Sequence, residues 1–454
     1  MNRWTLRIGL IAVWLLVLVG PAIGAPPGQF TVDFNIQNLG SGPANIIVNF
    51  VNPDGSPAGT KTFNNIPAGG SAYFNPALHT LDGGNTLPAG WQGAAIVNAD
   101  QPVSAIATIA NDLSGSQYVS DAYVGVGEPS TTVFAPIVMA KLGPWNTRMA
   151  IQNAGSAPAN VTIQFVSGGT VVATQTISSL PPGASALVDQ YDNGALNNFN
   201  GSAIITGTQP LAVTVDEYRT SGGLLVSYTA LPLSKASTTL YMPGYINAYG
   251  PWTTDFTIVN TASAAASVQI QFTNNQTLNC TVPANGSLYL NPAANVYGGC
   301  TGGPLASNFY GAATVTSNQP IVIAYNIANT LGPGDRAIGY TAVNPADTGT
   351  KMAVPLIENK YSGGQWTTTF SVQVIGGGTA LLTLTYQGNT GTHTWTGSVT
   401  DAYTFNQLSD GHVPAGFLGS VTITSDKPLA VIGDQNSLVL GGDVAAGFPG
   451  VKVP

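Results

Sequence analysis

The chain has 454 residues and a formal charge of -8, and only 7% of its residues are Asp, Glu, Lys or Arg, against roughly 25% in an ordinary soluble protein. Twelve Lys and Arg in all form no basic patch that could neutralise phosphates, which argues against nucleic acid and an anionic membrane surface as partners. No phosphate-binding glycine loop, Gly-x-Ser-x-Gly elbow or His-Glu-x-x-His motif occurs, so no cofactor or metal is expected.

At the N-terminus Arg3 and Arg7 lead into an apolar stretch over 8–19, and Ala22, Ile23 and Gly24 supply the small residues that a signal peptidase reads. Residues 1–24 therefore read as a signal peptide with the mature chain starting near Ala25, a retained membrane anchor being the alternative. No later apolar run is long enough to span a membrane.

The rest of the chain repeats. An aromatic, any residue and Gly open a short apolar run that ends at Pro and an aliphatic: Trp91-Gln92-Gly93 to Pro102-Val103, Phe199-Asn200-Gly201 to Pro210-Leu211, Phe309-Tyr310-Gly311 to Pro320-Ile321, and Phe417-Leu418-Gly419 to Pro428-Leu429. The spacing of roughly 110 residues divides the chain into four units, 25–133, 134–240, 241–352 and 353–454. In the first half of each unit Phe34, Met149, Phe256 and Phe370 are followed two residues on by Ile36, Ile151, Ile258 and Val372, and then by Ile46/Val48/Phe50, Val161/Ile163/Phe165, Val268/Ile270/Phe272 and Leu382/Leu384/Tyr386. Apolar residues two apart are the period of a half-buried strand. Asn-Gly-Ser-Pro clusters between the runs supply hairpin turns, and two apolar runs flank each Gln-Pro or Lys-Pro dipeptide. About seven strands per unit make each an immunoglobulin-like Greek-key β-sandwich, so the fold class is all-β.

Each later unit opens with a Trp four residues before its strand aromatic: Trp145, Trp252 and Trp366, with Phe30 in that place in the first. Aromatics recurring at a seam read as interdomain packing, which predicts a semi-rigid rod of modules. Cys280 and Cys300 fall in one unit and read as a disulfide, the three His residues all lying elsewhere.

Strings such as Val421-Thr422-Ile423-Thr424-Ser425-Asp426-Lys427-Pro428-Leu429-Ala430-Val431 resemble the late strands of immunoglobulin-like modules in bacterial and archaeal surface proteins. The resemblance covers residues 30–454 as a framework pattern and implies an architecture and an extracellular or cell-surface location, not an activity.

Chemistry is sparse. Glu128, Glu217 and Glu358 are the three Glu, and the adjacent Asp216 and Glu217 point to opposite faces of a strand, so they cannot flank one bond. The sequence therefore predicts an exported, non-catalytic structural or adhesive protein of the cell surface or an extracellular fibre. A carbohydrate-binding accessory protein is the alternative, with Tyr73, Tyr118, Tyr123, Tyr289 and Tyr310 as candidate contacts; a secreted enzyme with a site between modules comes third. The expected partners are surface glycans or proteins, or further copies of the chain. For the last, the tail 447–454 matches the opening strand of a next module and the first module lacks one, which would allow head-to-tail strand donation; the favoured alternative is a first module complete without that strand and a frayed tail.

Overall fold

In a computed structural model of the protein, residues 11–17 and 30–454 are described, apart from 77–78, 89–90, 113–117, 221–222, 330–335 and 364. The fold is an all-β sandwich architecture, and the alternating ladder positions are its core: Ile46, Val48 and Phe50, Val161, Ile163 and Phe165, and Val268, Ile270 and Phe272 are all buried. Each such side chain contributes about 1.5–3 kcal/mol when fully withdrawn from water.

The second repeat shows the plan. Its longest strand, Phe199–Arg219, runs for 21 residues. The first half pairs with Ser130–Ala140 and Ala159–Ser167; the second half pairs with Trp145–Asn153 and Leu225–Thr229. One strand thus serves both layers. Phe309–Asn329 and Phe417–Ser437 do the same in the third and fourth repeats. The sequence pattern divides this strand in two at Gln-Pro, whereas the chain continues through it. Pro210 lies in the register jump between Thr206 and Leu211, where the strand leaves one layer for the other and its missing N–H costs no ladder bond. Pro136, Pro243 and Pro355 likewise sit at irregularities of their strands.

The repeats do not form a rod. The buried cluster of the first repeat includes Tyr218 and Leu225 of the second, that of the second includes Ala324 of the third, and that of the third includes Ile432 and Ala445 of the fourth. The cluster of the fourth includes Ile106 and Ala122 of the first. Each core borrows from the next, and the series closes into a ring. Ser420 Oγ donates to Gly69 O at 2.8 Å across the closing seam, and Asn35 donates to the carbonyl of Pro355.

Four strands meet at the centre: Tyr118–Val124, Leu225–Thr229, Arg336–Thr341 and Gly442–Pro449. They occupy equivalent registers, because Ala122, Ser227, Gly339 and Gly447 lie opposite Thr108, Asp216, Asn326 and Asp434. All four axial positions are small. A Cβ on Gly447 would meet Ile338 Cγ2 at 2.2 Å and Gly339 O at 2.7 Å, and one on Gly339 would meet Ser227 O at 2.6 Å. The amides of these edge strands find acceptors in two buried carboxyl groups. Asp121 accepts from Ala122 N at 2.7 Å, from Gly447 N at 2.9 Å and from Ser227 N. Asp443 accepts from Leu225 N and Ala337 N, each at 2.9 Å.

The ends are occupied within the chain. Residues 451–452 pair with Gly349–Asn359 of the same repeat, in the place that Leu231–Pro232 takes against Ser130–Ala140. The tail is thus the end of the fourth unit and not the opening of a fifth, which corrects the expected spare strand. The opening position of the first unit is filled by Ile11–Val17, antiparallel to Gly93–Ala99. Residues 1–10 and 18–24 of the expected signal peptide lie outside the described residues. Cys280 and Cys300 form a disulfide.

Two outcomes follow. Asp121→Ala leaves the Ser227 and Gly447 amides buried without acceptors, at about 1–3 kcal/mol each, and Gly447→Val overpacks the axis at about 1–3 kcal/mol; chemical denaturation should show both losses, and a wild-type midpoint for both would contradict the axial packing. Reducing the Cys280–Cys300 bridge should cost about 3 kcal/mol, read as faster amide exchange in the third repeat than in the other three.

Candidate functional site

Because adjacent repeats share cores, the seams between them are clefts with walls from two units. The cleft between the second and third repeats has a cavity of about 250 Å³. One wall is Trp145, at the start of its strand, with Arg219 directly opposite it in register. The guanidinium lies over the indole ring, 4.9 Å from its centroid, a cation–π contact. Deeper in the same wall is Glu217, 1% exposed. The other wall carries Asp255 and Asn326, cross-strand partners in the third repeat, with Tyr289 and Asn291 beside them.

Asn326 Nδ2 donates to Glu217 Oε2 at 2.9 Å across the seam, while Glu217 Oε1 and Asn326 Oδ1 are buried and without hydrogen-bond partners. The Tyr289 hydroxyl favours the charged form of Asp255, and Asn291 Nδ2 donates to that hydroxyl at 3.4 Å. Burial pushes Glu217 well above the usual carboxylate range, and the nearby Asp255 pushes it further. Burial raises Asp255 to about 7 against the opposing effect of Tyr289. Two acids from different repeats therefore face one cavity.

Much of this arrangement recurs on the closing seam. Asp33, Tyr73 and Asn75 of the first repeat occupy the register positions of Asp255, Tyr289 and Asn291, and Asn75 donates to Asp33. Opposite them is Glu358, pushed up to about 8 by burial and held by Gln435, whose Nε2 donates to Oε2 at 2.6 Å. Gln435 stands where Glu217 stands in the second repeat. The other two seams differ. Arg148 pairs with Asp216 at 2.8 Å on the seam between the first and second repeats. Asp434 accepts from Thr369 on the seam between the third and fourth, beside a cavity of about 230 Å³.

A larger cavity, about 330 Å³, lies where the axial strands end. Its charged side chains are already engaged, with Lys235 Nζ at 3.2 Å from Glu128 and 2.8 Å from Asp347 and Lys452 Nζ donating to Ala346 O at 3.2 Å, so it offers a ligand less than the seam does.

The half-buried Trp145 packs beside Leu224, Val226 and the third-repeat Ala337, and Trp252 lines the cleft between the third and fourth repeats. Trp366 is half-buried, and the Phe30 side chain lies outside the described residues. Of the candidate tyrosines, Tyr289 and Tyr310 line different clefts, Tyr73 belongs to the closing seam, Tyr123 is buried and the Tyr118 side chain lies outside the described residues. They form no single platform. Asp216 and Glu217 do point apart: the first bonds Arg148 and Ser227, the second faces the third repeat. The partner of Glu217 was missed because it lies in another unit; aligning the repeats shows the signal, a polar column of Asp33, Arg148, Asp255 and Thr369 three residues after each seam aromatic.

No family model matches the chain, and no curated protein matches it. Among solved structures it is similar to Thermotoga maritima 1070, at 15% identity and a TM-score of 0.20, covering 24% of this chain and 93% of that one. It is also similar to the Anabaena sensory rhodopsin transducer, at 21% identity and a TM-score of 0.16, covering 19% and 93% respectively. A serine-rich repeat protein from Streptococcus agalactiae aligns at 11% identity and a TM-score of 0.11, covering 53% of this chain and 85% of that one.

The seam acids fix a pH dependence. Glu358 is raised to about 8, Asp255 to about 7, and Asp33 and Asp434 to about 6, each chiefly by burial. A folded-state pKa above the unfolded value means that the native state binds more protons through the window from about 4 to 8, so stability falls as pH rises across it. The melting temperature should therefore climb between pH 8 and pH 5 in scanning calorimetry; a steady fall over that interval would contradict these assignments.

Proposed function

We propose that the chain is an exported, non-catalytic adhesive protein of the cell surface or extracellular matrix, built from immunoglobulin-like repeats, that binds small ligands, glycan units among them, in the clefts between repeats. The observation that carries this reading is the seam of the second and third repeats, where Trp145, Arg219 and Tyr289 converge with buried acceptors on one cavity. Small-ligand sites combine apolar walls with a few such polar groups. Export is supported by the N-terminal pattern of charges, apolar run and small residues, and by the disulfide, a bond that persists in oxidising compartments. Among the described residues no helix is long and apolar enough to cross a membrane.

A second reading, assembly by strand addition, has its own support. Ile11–Val17 lies along the edge of Gly93–Ala99, so release of a leader near Ala25 would uncover that edge to a strand from another molecule. A glycan array with protein starting at Ala25 separates the two. Selective binding that Trp145→Ala weakens by about tenfold or more supports the cleft reading. An empty array, together with mass growth in light scattering that a peptide of residues 11–17 suppresses, would replace it with assembly.

A further inference from the structure

Three of the four repeats open on a strand of their own, Ser130–Ala140, Ser237–Asn247 and Gly349–Asn359. Opposite the aligned glycine of the long strand, and two and four residues beyond it, stand Val138, Ala135 and Val133 in the second repeat and Tyr245, Met242 and Leu240 in the third. All six are buried, and the fourth repeat keeps the pattern. In the first repeat the same register positions, opposite Gly93, Ala95 and Val97, fall to Val17, Leu15 and Val13. A chain released near Ala25 is therefore short of one strand and of three core positions in its first sandwich.

The place it leaves is a slot and not a plain edge. One side is the Gly93–Ala99 ladder. Beside it run Trp145–Asn153 and Phe199–Arg219 of the second repeat, with Ala94 packed on Ala150. On the far side, the opening strands of the second, third and fourth repeats are held by Leu231, Val343 and Val451. Val126 takes that place in the first repeat: it follows Gly125, whose N–H donates to Ala105 O as those of Ala230, Ala342 and Gly450 donate to Val213 O, Ile323 O and Val431 O. A strand already built into the sheet of another molecule carries a neighbour on one edge, so it cannot enter a slot walled on both.

We infer that the released chain is completed by an extended apolar segment of a different polypeptide, which lies antiparallel to Gly93–Ala99 with aliphatic residues at three alternate positions. Strand addition draws its affinity from main-chain hydrogen bonds and its specificity from pockets for alternate side chains. Here the pockets are the three core positions. Ile11–Val17 pairs over its whole length without the irregularity that Pro136, Pro243 and Pro355 bring to the other opening strands, so the slot takes a plain extended strand. A second copy of the released chain has none to give. Its described strands are all paired in sheets, its tail is held at Gly349–Asn359, and the residues ahead of its first strand, Ala25-Pro26-Pro27-Gly28-Gln29, are few and carry two prolines. The donor is therefore another chain, with the aliphatic alternation that Val13, Leu15 and Val17 display.

The inference rests on the strand-addition reading and on release of the leader, and it names the kind of donor. The probe is a peptide of residues 11–17 with lysines added at each end for solubility, titrated into protein 25–454 by calorimetry and followed by thermal melting. The released chain should stay monomeric alone, bind the peptide one to one and melt at a higher temperature with it, since a ligand of the native state stabilises that state. A chain that folds only when the peptide is present would show the same requirement. Leu15→Asp in the peptide puts a charge at the middle of the three core positions and should weaken binding by about tenfold or more. Protein that retains residues 1–24 should not bind the peptide, because its slot is filled. Mass growth of 25–454 that the peptide suppresses would overturn the inference in favour of self-assembly while keeping strand addition. Equal binding of the Leu15→Asp peptide, or binding to the full chain, would overturn it as well. So would exported protein whose N-terminal sequence still includes residues 11–17, by showing that the chain completes itself. A folded, monomeric 25–454 that ignores the peptide would remove the strand-addition reading too.

Discussion

The structure depends on four sheet edges meeting at one axis. An edge strand presents unpaired N–H and C=O groups that invite uncontrolled pairing, and a chain with so few charges has little on its surface to discourage it. Here the edges are turned on one another. Ala122, Ser227, Gly339 and Gly447 let the backbones approach, and the carboxyl groups of Asp121 and Asp443 take up amides that the diverging strands cannot pair. Only Gly442–Val444 and Tyr118–Ser120 pair directly as a parallel ladder. Burial pushes both acids well above their ordinary range and their backbone donors pull them back, which is the balance a buried acceptor must strike.

Closure of the ring fixes the geometry of each seam. A repeat that lends residues to the core of its neighbour cannot slide past it, so each seam is a fixed pair of walls. A site whose two halves come from different repeats is then as rigid as one built within a single sandwich. It can also diversify: Arg148, Asp255, Thr369 and Asp33 occupy one register position in the four repeats, and the identity of that residue sets the character of each cleft. One ring thus presents four related seams of which two carry acid pairs.

The sequence revealed the strands and their inward faces because burial follows a period of two and the repeat supplies four independent copies of it. Phe34, Phe256 and Phe370 are buried where their column requires. Ring closure was not legible, because it depends on the absence of side chains at the axis, and a single Gly or Ser among 55 glycines carries no period. The seam site was illegible for a related reason. Glu217 and Asp255 are far apart in the pattern and in different units, so nothing in local spacing joins them, although the seam aromatics three residues before Arg148, Asp255 and Thr369 mark the place. The tail misled because its Pro and aliphatic residues suit either end of a strand; only the pairing of Val451 with Ala353 shows which end it is.

Composition and site finally explain each other. A protein solvated by Asn, Thr, Ser and Gln has no general use for charge, so the few acids it retains are informative by position. All three Glu lie at contacts between repeats: Glu128 beside Lys235 of the second, Glu217 against Asn326 of the third, and Glu358 on the seam with the first. Asp121 and Asp443 hold the axis and Asp216 neutralises Arg148. Each of those last three has its partners, as a structural acid must, since an unpaired buried charge costs several kcal/mol. Glu217 likewise finds its partner, Asn326, in the next repeat, so these acids mark the contacts by which the ring is closed.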